Sequence, residues 1–323
     1  MLVGVRPARE GGVTTGSSDV SGRTHPPLPN PSPTGGEGLQ AGWSARLKLR
    51  FEATTLAGAS RTVLRERSHV GPLRVLKPLY PEGDAVCHAV LVHPPGGIVE
   101  GDSLSVDVAV DAGAGAVITT PGAQKWYRSA GRVATADTCL TIADGASLQW
   151  LPQEAMAYDG ARAQQRFTIA LAPTARFFGW EILCLGRTTR GERFASGEFR
   201  QGIRLVRLGS NAPLWRESMH LVGDDPLLTS PLGLRGLPVM ATAWIALGDA
   251  ADGGGTDVVL ATARDALADA PLAAASAVEE RLIVVKAVGD APEAVRNLLI
   301  GVWKSIRLPV FAREPQLPRI WST

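Results

Sequence analysis

Asp111-Ala112-Gly113-Ala114, Asp144-Gly145-Ala146 and Pro173-Thr174-Ala175 are three small-residue turns, and each is followed by a short apolar run. The runs are Ala116-Val117-Ile118-Thr119-Thr120-Pro121, Leu148-Gln149-Trp150-Leu151-Pro152 and Phe177-Phe178-Gly179-Trp180-Glu181. The turns recur at about thirty-residue intervals, the period of stacked supersecondary units. A unit this short cannot bury its own apolar face, so neighbours must stack into a common core. The spacing therefore predicts a mainly β fold, a β-helix or solenoid of stacked strands. A β-meander with coincidental turns is the alternative.

The same rhythm extends outward. Ala45, Leu47, Leu49 and Phe51 alternate with Arg46, Lys48, Arg50 and Glu52, the period-2 pattern of a half-buried strand. Residues 85–92 form a near-continuous apolar strand, Pro94-Pro95-Gly96-Gly97 forces a loop, and residues 104–110 resume strict alternation. Residues 200–208, 214–221, 240–247 and 281–289 read as further strands, whereas 258–267 fits strand or helix equally. Near the end, Asp290 as the cap, Pro292 in the first turn and Glu293 three residues on read as a helix start. Val295, Leu298, Leu299, Val302 and Ile306 then share one face, which predicts a small C-terminal helical part over 292–307, ended by Leu308-Pro309. Residues 1–40 carry no aromatic residue and a proline-rich run, His25 to Pro33, and read as a disordered tail. Residues 41–323 read as one β domain.

Composition excludes several function classes. The 33 basic and 31 acidic residues leave a net charge of +2, with no electrostatic footprint for nucleic acid or an anionic membrane. No apolar run reaches the roughly 18 residues a spanning helix needs, and no signal-peptide pattern opens the chain. Cys87, Cys139 and Cys184 stand far apart, as buried thiols in a reducing compartment rather than a disulfide scaffold. A cytoplasmic protein is expected.

Chemistry-bearing motifs are scarce. There is no phosphate-binding loop, HExxH, G-x-S-x-G or EF-hand pattern. Cys87 and His88 point to opposite faces of one strand, and His93 lies about 20 Å further along, so the three do not form a closed metal site. More suggestive are acidic residues at the ends of apolar strands: Asp102, Glu154 and Glu181. A carboxylate in apolar surroundings needs a partner or water. Turn amides satisfy Asp102 and Glu154 on one reading, and Arg187 or Arg190 pairs with Glu181. On the other, the three line a polar path for a divalent cation.

An ordered set of motifs adds a resemblance: His93-Pro94-Pro95-Gly96-Gly97, Gly101-Asp102, Thr119-Thr120-Pro121-Gly122-Ala123, Lys125-Trp126-Tyr127-Arg128, Trp150-Leu151-Pro152-Gln153-Glu154, Trp180-Glu181 and Gly186-Arg187. Together with the ending Pro318-Arg319-Ile320-Trp321-Ser322-Thr323, they resemble the urease accessory protein UreD (UreH) family over residues 43–323. Glu100, where a second glycine is common, and Gln124-Lys125-Trp126 depart from the family pattern. The resemblance implies a β-helical, non-enzymatic scaffold that links apo-urease to UreF and, through UreF, to the GTPase UreG. It implies no tightly bound cofactor but transient nickel(II), passing by weak, exchangeable ligands such as Asp102, Glu154 and Glu181. The rival expectation is a β-helical hydrolase or lyase acting on saccharides through a carboxylate pair such as Asp102 and Glu154. Only 6% of the chain is aromatic, little for a sugar-binding cleft.

Overall fold

The computed structural model describes residues 42–56, 58–210, 213–249 and 255–322. The tail expected over 1–40 lies outside the described residues. A hairpin of β1 (Ser44–Leu56) and β2 (Ala59–Val70) comes first, then the short β3 (Arg74–Val75). Four coils follow. The first joins β4 (Val86–Val92) to β5 (Ser103–Val110), and the second joins β6 (Gly115–Thr119), β7 (Gln124–Trp126) and β8 (Ala134–Ile142). The third holds β9 (Ser147–Leu151), β10 (Ala155–Ala157) and β11 (Arg162–Leu171), and the fourth β12 (Arg176–Leu185) and β13 (Glu198–Arg207). Next come β14 (Pro213–Val222), the one-turn α1 (Pro226–Thr229), β15 (Val239–Ala246) and α2 (Thr256–Asp265). The chain ends through β16 (Ala273–Glu279), β17 (Leu282–Gly289) and α3 (Pro292–Phe311).

One sheet has the order β14-β13-β11-β8-β5-β1-β2, with β13 through β1 parallel. The facing sheet runs β16-β17-β15-β12-β9-β6-β4-β3, parallel from β12 to β4. Strands β7 and β10 pair in parallel with each other, and β10 with the end of β12, to make a short third side. A meander would pair consecutive strands antiparallel. Here consecutive strands lie in different sheets and each pairs with its counterpart one coil away, a β-solenoid of about four turns.

The three turns stack as the spacing predicts. Ala143 N–H donates to Val110, Ala172 to Ile142, Ser147 to Ala114 and Arg176 to Ala146. Gly113 and Gly145 hold φ values of 72° and 64°, a region glycine enters without a steric penalty. In the third turn Thr174 takes over: its hydroxyl donates to Asp144 at 2.8 Å and accepts the Gly145 amide at 2.8 Å. Alternation then sets what faces inward. Ala45, Leu47, Leu49 and Phe51 are buried while Arg46, Lys48 and Arg50 are exposed.

Two apolar layers result. The first fills the solenoid, with Leu49, Leu104, Leu140, Phe167 and Phe177 among its members. The second lies between the outer face of β12, β15 and β17 and the helices, where Phe178, Trp180 and Ile182 meet Val295, Leu299, Val302 and Trp303. Strand parity separates them: on β12, odd residues point into the solenoid and even ones toward α3. The ambiguous stretch 258–267 is largely the helix α2, burying Val259 and Ala263, while β16, too alanine-rich for a strand signature, went unread.

Two expectations about α3 need correction. Its N-cap is Ala291, not Asp290, and has no side-chain cap bond, although Pro292 does open the helix. The helix also runs on to Phe311 instead of ending near 307, with Pro309 inside its last turn. Val310 and Phe311 are buried against the second layer, which offsets the backbone bond that proline removes. Ala312 terminates the helix in the left-handed conformation and donates to Leu308. Of the cysteines, Cys87 and Cys184 are buried, but Cys139 is only half-buried. It has the outward parity of β8, opposite to the inward Leu140.

Beyond α3 the chain folds back. The Trp321 ring sits 6.1 Å from that of Trp180 and 6.4 Å from Trp303, and its Nε1 donates to Thr119 Oγ1 at 2.8 Å. Trp321→Ala is expected to lose about 1–3 kcal/mol in urea denaturation, less than for a fully buried tryptophan because Trp321 is half-buried. A loss within about 0.5 kcal/mol, the range of an ordinary surface substitution, would show that the returning tail contributes nothing.

Candidate functional site

Residues of several of the quoted motifs line one cavity of about 300 Å³ between the two sheets. Gly96, Pro121 and Gly122 form its exposed rim, with His93 beside them. Leu104, Ala136 and Phe167 supply the inner face of the seven-stranded sheet, and Trp150, Gln165 and Glu181 close the floor. Tyr127 packs so tightly on Gly97 that a Cβ there would lie 2.1 Å from the ring, so a larger residue at that corner would have to displace the tyrosine.

Only one of the three candidate carboxylates lies on this cavity. Glu181, 7% exposed, points inward from β12. It accepts from Trp150 Nε1 at 3.0 Å and from Gln165 Nε2 at 3.2 Å, not from an arginine. Burial pushes its carboxyl up to about 8, against the two donors that favour the charged form. Arg187, one of its expected partners, instead pairs with Glu192 and stacks 4.8 Å over the Tyr158 ring. Asp102 is used structurally: its two oxygens accept the Trp43 amide at 2.8 Å and the Val99 amide at 3.0 Å. Glu154 pairs with Arg296 of α3 at 3.2 Å, and neighbouring Gln153 accepts from the same guanidinium. Asp102 and Glu154 therefore do not face each other across a cleft, and neither lines the cavity.

Polar groups extend from Glu181 through buried Gln165, Gln201 and Thr242 to Lys286, whose side chain is 45% exposed. Gln201 Nε2 donates to Gln165 Oε1 at 3.0 Å, linking β13 to β11 and to the carboxyl. On the opposite sheet Glu181, Thr242 and Lys286 are register partners along β12, β15 and β17. Lys286 Nζ donates to Thr242 Oγ1 at 2.8 Å and pairs with Glu217 of β14. Among the described residues, one Glu217 oxygen and the Trp126, Trp215 and Trp244 indole N–H groups are buried without a protein partner, so they call for ordered water. Gln165 and Gln201 were missed in the sequence. The available signal was a polar residue at the inward parity of two alternating strands, 36 positions apart.

At the rim, burial holds the His93 imidazole below its ordinary value, partly opposed by the Asp102 charge. A neutral imidazole and a single carboxyl are ligands a divalent cation can bind and leave. Among the described residues no group of three or more His, Cys, Asp or Glu side chains is placed to hold a metal ion, and no helix is long and apolar enough to cross a membrane.

Fold and interior together define a β-solenoid with a polar seam through its core and a helical layer on one side. Residues 44–322 match the family model described as UreD urease accessory protein. A protein of Azoarcus sp. (strain BH72) named urease accessory protein UreD is 44% identical over 286 residues, 88% of this chain and 95% of that one. Its counterpart in Cupriavidus necator is 40% identical over 304 residues, covering 93% and 99% of the two chains. The chain belongs to the UreD family of urease accessory proteins. Membership of the family supports a role in urease maturation.

Proposed function

We propose that the protein is the scaffold that joins apo-urease to UreF and, through UreF, to the GTPase UreG, and that nickel(II) is its cargo. The observation that carries this reading is Glu181: a buried carboxyl on the floor of a cavity that residues of several of the quoted motifs line. Nickel enters past His93, meets Glu181 and moves along the Gln165 and Gln201 amide oxygens and the Thr242 hydroxyl. Single oxygen and nitrogen ligands favour passage over storage, since a closed four-ligand site would hold the ion. Asp102 and Glu154 support this path indirectly, by fixing the corner before β5 and by holding α3.

Glu181→Gln keeps the shape of the floor and removes its ionisable group. Recovery of urease and UreF on affinity resin should stay at the wild-type level, while nickel per urease active site falls several-fold. Wild-type nickel loading in the variant would remove Glu181 from the path. A cytoplasmic location follows from the same reading, because the proposed partners work on newly made urease.

A further inference from the structure

The outer face of the seven-stranded sheet carries a feature that the interior does not use. Arg204 of β13 and Arg216 of β14 are register partners, directly opposite each other across the antiparallel pair at the open edge. Both are exposed, and among the described residues neither has an ion-pair or hydrogen-bond partner. Like charges placed directly opposite destabilise such a pair. Nearby arginines have carboxylate partners: Arg166 binds Asp137 through two bonds of 2.6 and 2.8 Å, and Arg162 and Arg200 share Glu198, which the His220 imidazole also meets.

Gly202 supplies a second, independent observation. It lies on the same outward face, two positions from Arg204, with Arg166 and Ser218 as its register partners. Its φ is outside the left-handed region, and a Cβ built on it would meet no atom within 4 Å. Neither backbone conformation nor packing requires glycine there. A glycine inside a strand weakens it, and close approach of another backbone or ligand is one of the recurrent reasons for keeping one there.

We propose that this patch is a docking surface for an acidic protein segment, which lies over Gly202 and sets its carboxylates on Arg204 and Arg216. Guanidinium forks match carboxylates in geometry as well as charge. Two unpaired guanidiniums on a chain of net charge +2 are too few for the dense, continuous charge of a phosphate backbone, so a short acidic protein segment fits better than a nucleic acid. The assignment does not depend on metal passage through the interior.

The test is fluorescence anisotropy of the full chain with a labelled oligoglutamate peptide, an oligolysine control and a short DNA duplex, at low and high salt. Wild-type protein should bind oligoglutamate, release it at high salt and ignore oligolysine. The double variant R204E/R216E should bind at least roughly tenfold more weakly. Gly202→Val should also weaken binding while leaving the thermal midpoint unchanged or higher, because valine is the better strand former. Wild-type-like peptide binding by both variants would overturn the proposal. So would a preference for the duplex that R204E/R216E abolishes. A lowered midpoint in Gly202→Val would return the glycine to a structural role and overturn its part in docking.

Discussion

Arg307→Ala should cost the fold about 3–5 kcal/mol, the usual loss when one side of a buried ion pair is removed. Arg307 is fully buried on the inner face of α3. It pairs with Glu82, donates through Nε to Gln149 Oε1 at 3.1 Å and lies 5.0 Å from the Trp303 ring. Glu82 also meets His88 Nε2 at 2.5 Å, in a cluster whose side chains are almost closed to solvent. Burial by itself would raise Glu82, but His88 and Arg307 outweigh it and hold the carboxyl below its ordinary value. A carboxyl lowered on folding contributes stability above its unfolded value of about 4.5, and that contribution is lost as pH falls through the folded value. Urea denaturation at neutral pH is the measurement, with Glu82→Gln/Arg307→Met as control. The double variant should recover most of the loss, because no charge is left buried alone. A loss under about 1 kcal/mol in Arg307→Ala would mean that water replaces the guanidinium.

The second large effect is a pH dependence centred on Glu181. Its folded value, about 8, stands above the unfolded value of 4.5. A carboxyl raised in this way contributes its full share of stability below pH 4.5 and loses it as pH climbs toward 8. Glu181→Gln does not titrate, so its stability relative to wild type should grow steadily between pH 5 and pH 8. The full shift sets an upper bound of roughly 5 kcal/mol on that growth. A fixed offset from amide geometry leaves the slope untouched. A difference that stays flat across this range would show that the carboxyl is ionised in the folded protein throughout. The same raised value means that a cation taken up at Glu181 displaces a proton, so uptake should strengthen as pH rises.

Much of the solenoid was legible because its signals are local. Gly113 and Gly145 mark turns by a backbone conformation that other residues resist, and alternation along β1 and β5 assigns each side chain to a face. The end of α3 was misread for a related reason. Proline is a local stop signal, but Val310 and Phe311 gain more by burial beneath the helix than Pro309 costs. The site was half legible. Glu181 stood out as a charge in an apolar run, whereas Gln165 and Gln201, uncharged and flanked by ordinary strand residues, did not.

By itself, the sequence determined the coil period, the inward and outward faces, the presence of a C-terminal helix and the family. Period-2 alternation, turn chemistry and motif order all act within a few dozen residues, and none needs knowledge of what packs where. Only the tertiary structure decided which partner each carboxylate meets. Glu82 and Arg307 are 225 positions apart, and Glu154 and Arg296 are 142 apart. Asp102 and Glu154 find partners among backbone amides and α3, while Glu181 is left with neutral donors at the cavity floor. Desolvation and pairing depend on neighbours that stacking brings together, and stacking is a property of the whole solenoid.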